Sequence, residues 1–421
     1  MKKAKAELQK IIALSEAEHQ KFLENKKQEI VSFHLKNNDF YKDLVGKNWS
    51  GNWNDLPVLN KKNLQKPLSE RLSEGFTEKS VYVNKTSGSS GDPFIFAKDK
   101  FCHGLTWASN IYRFGWFGID FNRSYQARFY GIPLDFFGNK KERIKDFMSN
   151  RYRFTIFDLS DKILEKVLLK FQNKKFDYIN GYTSSIVLFA KFLKSKNVIL
   201  KEICPTLKVC MVTSEMLFED DKILLEKQFG IPIVNEYGAS ELDLIAFQNP
   251  EDEWQINSET LFVEILDKNN QPLPYGEEGR VVITSLYNLA HPFIRYDIGD
   301  IGILDEKSTL QKPKLKQLIG RTNDVAVLPS GKKSPGLTFY YVTKSIIEDD
   351  GNVKEFVIVQ TKIDTFEIDY VSENELSESQ IQKIEKAISM YLEPDLKFIF
   401  TRKKSLERTN RGKLKQFKSL L

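Results

Sequence analysis

The chain has 421 residues, of which 41% are apolar, 29% charged and 12% aromatic, and its formal net charge is +6. Length alone predicts two or three domains, and this composition excludes a chain that is disordered throughout. The mildly basic balance is compatible with anionic small molecules, and it does not by itself indicate nucleic-acid binding.

The first part of the chain predicts amphipathic helix, because apolar residues such as Leu8, Ile11 and Phe22 recur at helical spacing among Lys, Glu and Gln. From Val81 the pattern changes to strand, small-residue loop and strand, in the stretch VYVNKTSGSSGDPFIFAKD. Two later stretches predict helices and two predict short strands: DKILEKVLLKFQNK and SIVLFAKFLKSKN, then LKVCMVTSE and IPIVNEYG. Helices that alternate with short apolar strands predict an α/β fold.

The pattern changes again after Trp254, where Gly and Pro separate three apolar runs: LFVEIL, GRVVITSL and FIRYDIGDIGIL. These runs predict an antiparallel sheet joined by turns. The segments beyond Arg321 predict a compact α+β unit: KEFVIVQTK, FEIDYVS, the helical SESQIQKIEKAISMYL and LKFIFTRK. We therefore predict a large domain over residues 1–320, a hinge at 321–324 and a small domain over 325–421.

The first of five candidate motifs is a loop of small residues between two predicted strands: Thr86, Ser87, Gly88, Ser89, Ser90 and Gly91. Small residues let several backbone N–H groups converge on an anion, and the hydroxyls add donors. No Gly-Lys-Ser/Thr follows, so this is not the P-loop of mononucleotide NTPases. A plain hairpin turn is the alternative.

The second and third motifs are NEYGASE at 235–241 and RYDIGD at 295–300. Tyr237 can stack on a purine ring, and Glu241 offers a hard oxygen ligand for Mg²⁺. An ordinary strand-to-helix loop with a capping Ser is the alternative. Asp300 can accept hydrogen bonds from both hydroxyls of a ribose, or it can close a hairpin.

The last two motifs are GRTND at 320–324 and RTNRGK at 408–413, which taken separately are a turn and a solvated basic tail. In this order, the five motifs resemble those of the adenylate-forming superfamily of acyl-CoA synthetases, nonribosomal adenylation domains and luciferases. The resemblance extends from about Val81 to Lys413. The stretches NLAHPFIRYDIGD and GYTSSI also resemble the phenylacetate–CoA ligase branch and its capsule-biosynthesis relatives.

The resemblance implies an ATP-dependent ligase that forms an acyl-AMP and then passes the acyl group to a thiol, with coenzyme A as the favoured acceptor. It also implies nucleotide contacts. Residues 86–91 would hold the polyphosphate, and Ser214, Glu215 and Met216 would line the adenine and ribose. Tyr237 would stack on the adenine, with Gly238 beside it.

The resemblance further implies a metal ligand and a catalytic lysine. Glu241 would bind Mg²⁺, Asp300 and Arg321 would hold the ribose hydroxyls, and Lys413 would bridge the carboxylate and the α-phosphate. These roles suit a reaction that joins two anions, because its catalysis consists mainly of positioning and charge neutralisation. The small domain would then rotate about 322–324 to let the thiol reach the acyl carbonyl.

Some positions depart from the pattern of this superfamily. Ile298 stands where the family usually has Thr, Asn323 where relatives often have Asp, and Leu414 follows Gly412-Lys413. The Cys or Cys/His pattern that some branch members use for zinc is absent from QNPEDEWQIN, so no zinc site is predicted.

The acid and its acceptor are left open by the sequence. An aryl acid is favoured, and five aromatic residues are either pocket walls or ordinary core: Phe129, Tyr130, Phe136, Phe137 and Tyr182. A carrier-protein thiol or an amine of a surface-polysaccharide sugar is an alternative acceptor.

A rival class is a non-catalytic nucleotide- or nucleic-acid-binding protein, supported by the basic stretch from Lys403 to Lys418. Its binding would weaken steeply with salt. We expect no nucleic-acid partner, and we expect Lys415 and Lys418 to contribute little to activity.

Three cysteines, Cys102, Cys204 and Cys210, show no C-x-x-C spacing, which predicts neither disulfides nor a thiolate metal site and favours a reducing cytoplasm. No apolar stretch has the length of a signal peptide or a membrane span, so we expect neither.

Overall fold

The computed structural model describes residues 1–47, 49–86, 94–131, 136–156, 159–321, 325–331, 333–335, 353–391, 393–408 and 414–421. For some of these only the backbone is described: 136–139, 141, 321, 325, 333–335, 387, 390 and 391. Several predicted site residues lie outside the described residues: Ser87, Gly88, Ser89, Ser90, Gly91 and Lys413.

The helices are α1 Lys2–Ile12, α2 Glu16–Asn37, α3 Asp39–Val45, α4 Leu68–Arg71, α5 Lys100–Gly115, α6 Phe136–Met148, α7 Asp161–Asn173, α8 Thr183–Ser195, α9 Leu200–Ile203, α10 Glu219–Phe229 and α11 Glu378–Tyr391. The predicted helices are therefore confirmed. Local sequence explains their ends. A capping box of Ser15 and Glu18 starts α2, and Gly230 ends α10 in the left-handed conformation that glycine adopts without strain.

The strands are β1 Tyr82–Lys85, β2 Ile95–Lys98, β3 Gln126–Phe129, β4 Arg151–Phe154, β5 Tyr178–Tyr182, β6 Val209–Thr213, β7 Ile233–Ala239, β8 Asp243–Gln248, β9 Trp254–Ile256, β10 Leu261–Leu266, β11 Glu278–Ser285, β12 Tyr296–Leu304, β13 Leu315–Arg321, β14 Val325–Val327, β15 Lys333–Pro335, β16 Val353–Lys362, β17 Thr365–Ser372, β18 Lys397–Arg402 and β19 Phe417–Ser419. Both strands that were predicted around the small-residue loop form, and they pair as the antiparallel hairpin β1–β2.

A seven-stranded sheet in the order β4-β3-β5-β6-β7-β8-β9 forms the centre of the molecule. Its first five strands are parallel, and β8 and β9 are antiparallel additions. One face packs on α7, α8 and α10, where Phe129, Ile179 and Val212 are fully buried. Since parallel strands end at a common edge, the loops after β3, β5, β6 and β7 meet there, as in other open α/β sheets that bind ligands.

The apolar runs after Trp254 form the predicted antiparallel sheet, in the order β10-β11-β12-β13. A shared core joins this sheet to the β1–β2 hairpin, and Phe94, Phe96, Val281 and Ile283 are buried in it. The hairpin is thereby held against the second sheet.

The part of the chain after Arg321 has its own core, built on a mixed sheet of order β18-β17-β16-β19 and on α11. Ile358, Ile368 and Ile384 are buried there, and Phe218 from the preceding part packs against them. The predicted α/β and α+β fold class is confirmed. In the part of the chain that the structure describes, no helix combines the length and apolarity that a membrane crossing requires.

Candidate active site

A cavity at the carboxyl ends of β6 and β7 brings together residues from four of the predicted segments. The predicted residues that line it are Ser214, Glu215, Met216, Tyr237, Gly238 and Asp300. The other lining residues come from the neighbouring strands and from the C-terminal part: Asn235, Glu236, Ala239, Trp254, Ile298, Leu318, Gly320, Leu414, Lys415, Gln416 and Phe417. Both halves of the chain therefore contribute to one site.

The wall after β6 is held by Glu215. Its Oε2 accepts a hydrogen bond of 2.7 Å from the backbone N–H of Ser184 in the first turn of α8. Its Oε1 accepts one of 3.0 Å from the N–H of Leu414. Burial raises the pKa of Glu215, and the hydrogen bonds from the N–H groups of Ser184 and Leu414 lower that pKa in part. The Glu215 side chain therefore joins the large part of the chain to the C-terminal segment, a role that the sequence did not predict.

The opposite wall contains Tyr237 and Asp300. The Tyr237 hydroxyl donates a 2.7 Å hydrogen bond to Oδ2 of Asp300, and these residues are only 8% and 5% exposed. The edge of Trp254 contacts the tyrosine ring, with centroids 6.1 Å apart. In the pairing of β12 with β13, Asp300 lies opposite Arg321. The two residues that the resemblance assigns to the ribose are therefore neighbours across two strands.

Gly238 is required by a close approach of two strands. The segment around it is not the strand-to-helix loop considered as an alternative, because β7 continues to Ala239 and turns directly into antiparallel β8. A Cβ atom added at Gly238 would lie 2.6 Å from the carbonyl oxygen of Asp243. A larger residue would push the hairpin apart and deform the cavity wall.

We expect Gly238→Ala to lower the free energy of unfolding by about 1–3 kcal/mol, as overpacking of a tight contact does. Urea unfolding would measure the loss. Gly115→Ala is the matched control, since a Cβ at Gly115 meets no atom within 4 Å. Equal stability of the two variants would contradict this account of Gly238.

No family model matches the chain. The protein CapK of Staphylococcus aureus is 24% identical over 391 residues, which are 88% of this chain and 81% of that protein. The structure of 2-hydroxyisobutyryl-CoA ligase in the postadenylation state aligns with a TM-score of 0.73 and 15% identity over 95% of this chain and 89% of that one. The chain has the adenylate-forming fold.

Two further alignments refine this comparison. The same ligase in the thioesterification state aligns with a TM-score of 0.60, over 96% of this chain and 90% of that one. The amide bond synthetase McbA of Marinactinospora thermotolerans aligns with a TM-score of 0.54 and 15% identity, over 80% and 69% of the two chains. The resemblance predicted from the motifs is thus confirmed at the level of the fold.

Two of the predicted residues whose side chains the structure describes, Thr86 and Glu241, lie outside the lining of this cavity. Thr86 closes the base of the small-residue loop, because its N–H donates to the carbonyl of Phe94 at 2.9 Å and its Oγ1 accepts from the N–H of Phe94 at 3.0 Å. Glu241 is buried, and its Oε1 accepts a 3.1 Å hydrogen bond from the Tyr296 hydroxyl.

Among the described residues, no three acidic, His or Cys side chains converge in a way that could hold a metal ion. Mg²⁺ does not need such a cluster when a nucleotide is present, since it commonly takes one carboxylate together with substrate phosphates and water. Oε2 of Glu241 makes no hydrogen bond to any residue that the structure describes. A single free carboxylate oxygen fits that mode of binding.

The sequence missed several lining residues of the cavity. Lys415, Gln416 and Phe417 follow the RTNRGK motif directly, so the motif could have pointed to them. Lys415 was expected to be a solvated lysine without function, and it instead lines the cavity, whereas Lys418 is exposed as expected. Glu236 had no signal beyond its place before Tyr237, because only the sheet register shows what it faces.

Proposed function

We propose that this protein activates a carboxylic acid with ATP and then transfers the acyl group to the thiol of coenzyme A. The carboxylate oxygen attacks the α-phosphorus, the bond to the β-phosphate breaks and pyrophosphate leaves. The thiol sulfur then attacks the acyl carbonyl carbon, its proton passes to solvent, and AMP leaves. The supporting observation is one cavity that joins Tyr237, Asp300 and the loop after β6 to the C-terminal segment, in a chain with the adenylate-forming fold.

The residue roles follow from the same proposal. Ser214, Met216 and Tyr237 would enclose the adenine and ribose, and Asp300 with Arg321 would hold the ribose hydroxyls. Residues 86–91 would bind the polyphosphate. Donors of this kind stabilise the charge that develops at the phosphates during the reaction.

A division into domains 1–320 and 325–421, with a hinge at 321–324, is part of the proposal. The N–H of Leu414 bonded to Glu215 supports a closed arrangement of the two domains at the cavity. The better alignment with the postadenylation structure than with the thioesterification structure supports the same arrangement. Rotation about the hinge would break the Leu414–Glu215 hydrogen bond and open the acyl carbonyl to the thiol.

An aryl acid, favoured by the sequence, stays a prediction, because neither Tyr130 nor Tyr182 lines the cavity and Tyr182 packs in the same core as Phe129. Phe129 is fully buried in the core on the helical face of the sheet, so it is not a pocket wall. The rings of Tyr130 and Tyr182 lie 4.6 Å apart at the carboxyl edge of the sheet. The side chains of Phe136 and Phe137 lie outside the described residues. Aryl acids therefore belong in any substrate panel.

An amine is the second candidate acceptor, because the chain is similar in fold to an amide bond synthetase. The test is an ATP–pyrophosphate exchange assay over a panel of acids, followed by product analysis with coenzyme A, with hydroxylamine and with neither. Thioester formation only with coenzyme A supports the proposal. Acid-independent nucleotide binding that weakens steeply with salt would instead favour the non-catalytic rival.

We expect Glu241→Gln to raise the Mg²⁺ concentration needed for half-maximal pyrophosphate exchange by about tenfold, because an anionic ligand becomes neutral while the volume is kept. When bound, the ion would neutralise phosphate charge. A Mg²⁺ titration at saturating ATP measures the shift. Glu277→Gln, which changes an exposed glutamate, is the control. An identical Mg²⁺ requirement in both variants would remove Glu241 from the metal site.

A further inference from the structure

A second group of polar residues lies on the central sheet beside the cavity. Side chains alternate between the two faces of a strand, so the register places Arg128 of β3 and Asn180 of β5 on one face. Thr213 of β6 and Glu236 of β7 follow on that same face, two residues closer to the carboxyl edge. The opposite face carries the apolar core with Phe129. Two charged and two polar side chains thus share this face with the buried Met211 and Val234, and Glu236 lies at its cavity end.

Arg128 forms no ion pair with the residues that the structure describes. Its guanidinium makes no hydrogen bond or ion pair with any residue that the structure describes, and its Nε is buried without a partner. The guanidinium lies over the ring of Tyr130 at 4.2 Å. Its neighbour Arg153 forms ion pairs by contrast, with Nη2 at 2.9 Å from Glu142 and 2.8 Å from Asp146, although its Nε is also buried without a partner. Burial lowers the pKa of Arg128, which reflects the cost of holding this charge away from water.

Glu236 supplies the opposite charge at the cavity wall. Its Oε1 accepts a 3.0 Å hydrogen bond from the Thr213 hydroxyl, and it lines the cavity. Burial raises the pKa of Glu236, and the nearby Arg128 lowers it in part. The two charges influence each other, yet they form no ion pair in the part of the chain that the structure describes. Tyr130 lies within electrostatic range of both.

An apolar acid bound here would bury both charges without giving either a partner. A polar acid would give Arg128 an acceptor and Glu236 a donor, and sites built to hydrogen-bond a substrate reject analogues that lack the polar group far more strongly than apolar pockets reject a missing methylene. We propose that the substrate is an amino or hydroxy acid whose distal carboxylate or amide is bound by Arg128 and whose amine or hydroxyl is bound by Glu236. This inference rests on the proposed function, because the cavity that Glu236 lines is where the acyl-AMP would form.

The test compares acids of similar size in ATP–pyrophosphate exchange with the full-length protein. Glutamate, glutamine and 2-hydroxyglutarate form the polar arm, and phenylacetate and hexanoate form the apolar arm. We expect kcat/KM for the best polar acid to exceed that for the best apolar acid by a factor on the order of 10² or more. Equal or better exchange with phenylacetate or hexanoate would overturn the polar substrate and leave the proposed function standing. No exchange with any acid would overturn both.

Substitutions of Arg128 and Glu236 test the roles proposed for these two residues. Arg128→Met should lower kcat/KM for the best polar acid by about 10- to 100-fold, raise the KM for that acid and leave the KM for ATP unchanged. Glu236→Ala should reduce the ratio of kcat/KM for the best polar acid to kcat/KM for the best apolar acid. Arg123→Met is the control, since its side chain is 89% exposed. Thermal unfolding separates binding from structure, because replacing the partly buried Arg128 breaks no hydrogen bond or ion pair among the described residues. If Arg128→Met lowered stability and slowed both arms equally, Arg128 would be structural and the proposal wrong.

Discussion

Lys413→Ala should slow acyl-AMP formation by a factor on the order of 10²–10³, the effect of removing one pre-organised donor to developing charge. Lys413 itself lies outside the described residues, and its role is a proposal from the RTNRGK motif. The next residue supports that role, because the Leu414 N–H is bonded to Glu215 and residues 414–417 line the cavity. The first residue of the motif, Arg408, is paired with Glu355 and donates to the Ser184 hydroxyl at 3.3 Å.

The two half-reactions separate this effect from general basicity. Pyrophosphate exchange measures adenylation, whereas thioester formation from chemically supplied acyl-AMP measures transfer. The Lys413→Ala variant should keep its rate of thioester formation from acyl-AMP, because the proposed rotation moves the lysine away from the substrate. Lys418→Ala is the control, since Lys418 is exposed, and Lys415 is unsuitable because it lines the cavity. Equal loss in both half-reactions would refute a two-pose mechanism.

Asp300→Ala should raise the KM for ATP by about 10- to 100-fold, because a hydrogen bond to a charged group typically contributes about 1.5–3 kcal/mol. The substitution removes the proposed ribose acceptor and also the 2.7 Å hydrogen bond from Tyr237. The KM for the acid should change little, and calorimetric titration of ATP gives an independent measure of nucleotide affinity.

Two further variants show whether the effect of Asp300→Ala comes from the carboxylate itself. Tyr237→Phe keeps the ring and the carboxylate and removes only the hydroxyl, so its effect on ATP should be smaller than that of Asp300→Ala. Asp305→Ala changes a turn aspartate that directly follows β12 and should leave ATP binding as it is. An unaltered ATP affinity in Asp300→Ala would exclude this residue from the ribose site.

Local sequence patterns were sufficient to predict many of the helices and strands. The alternating helices and short strands, the antiparallel runs after Trp254 and the α+β unit after Arg321 are all present, because each element buries an apolar face that its own sequence encodes. The motifs also identified Tyr237 and Asp300, which meet in one cavity although 63 positions separate them. A short motif can identify a site residue in this way when the residues that it needs lie in one continuous segment.

The sequence by itself thus determined the fold class and the segments that meet at the site. The tertiary structure decided which side chains face one another. Glu215 contacts both Ser184 and Leu414, a junction of three distant segments that no local pattern encodes. Arg128 and Glu236 share a face only because β3, β5, β6 and β7 pair in one register, and a shift of one residue would turn either side chain into the opposite core. Contacts of this kind depend on strand order and register, which long-range packing fixes.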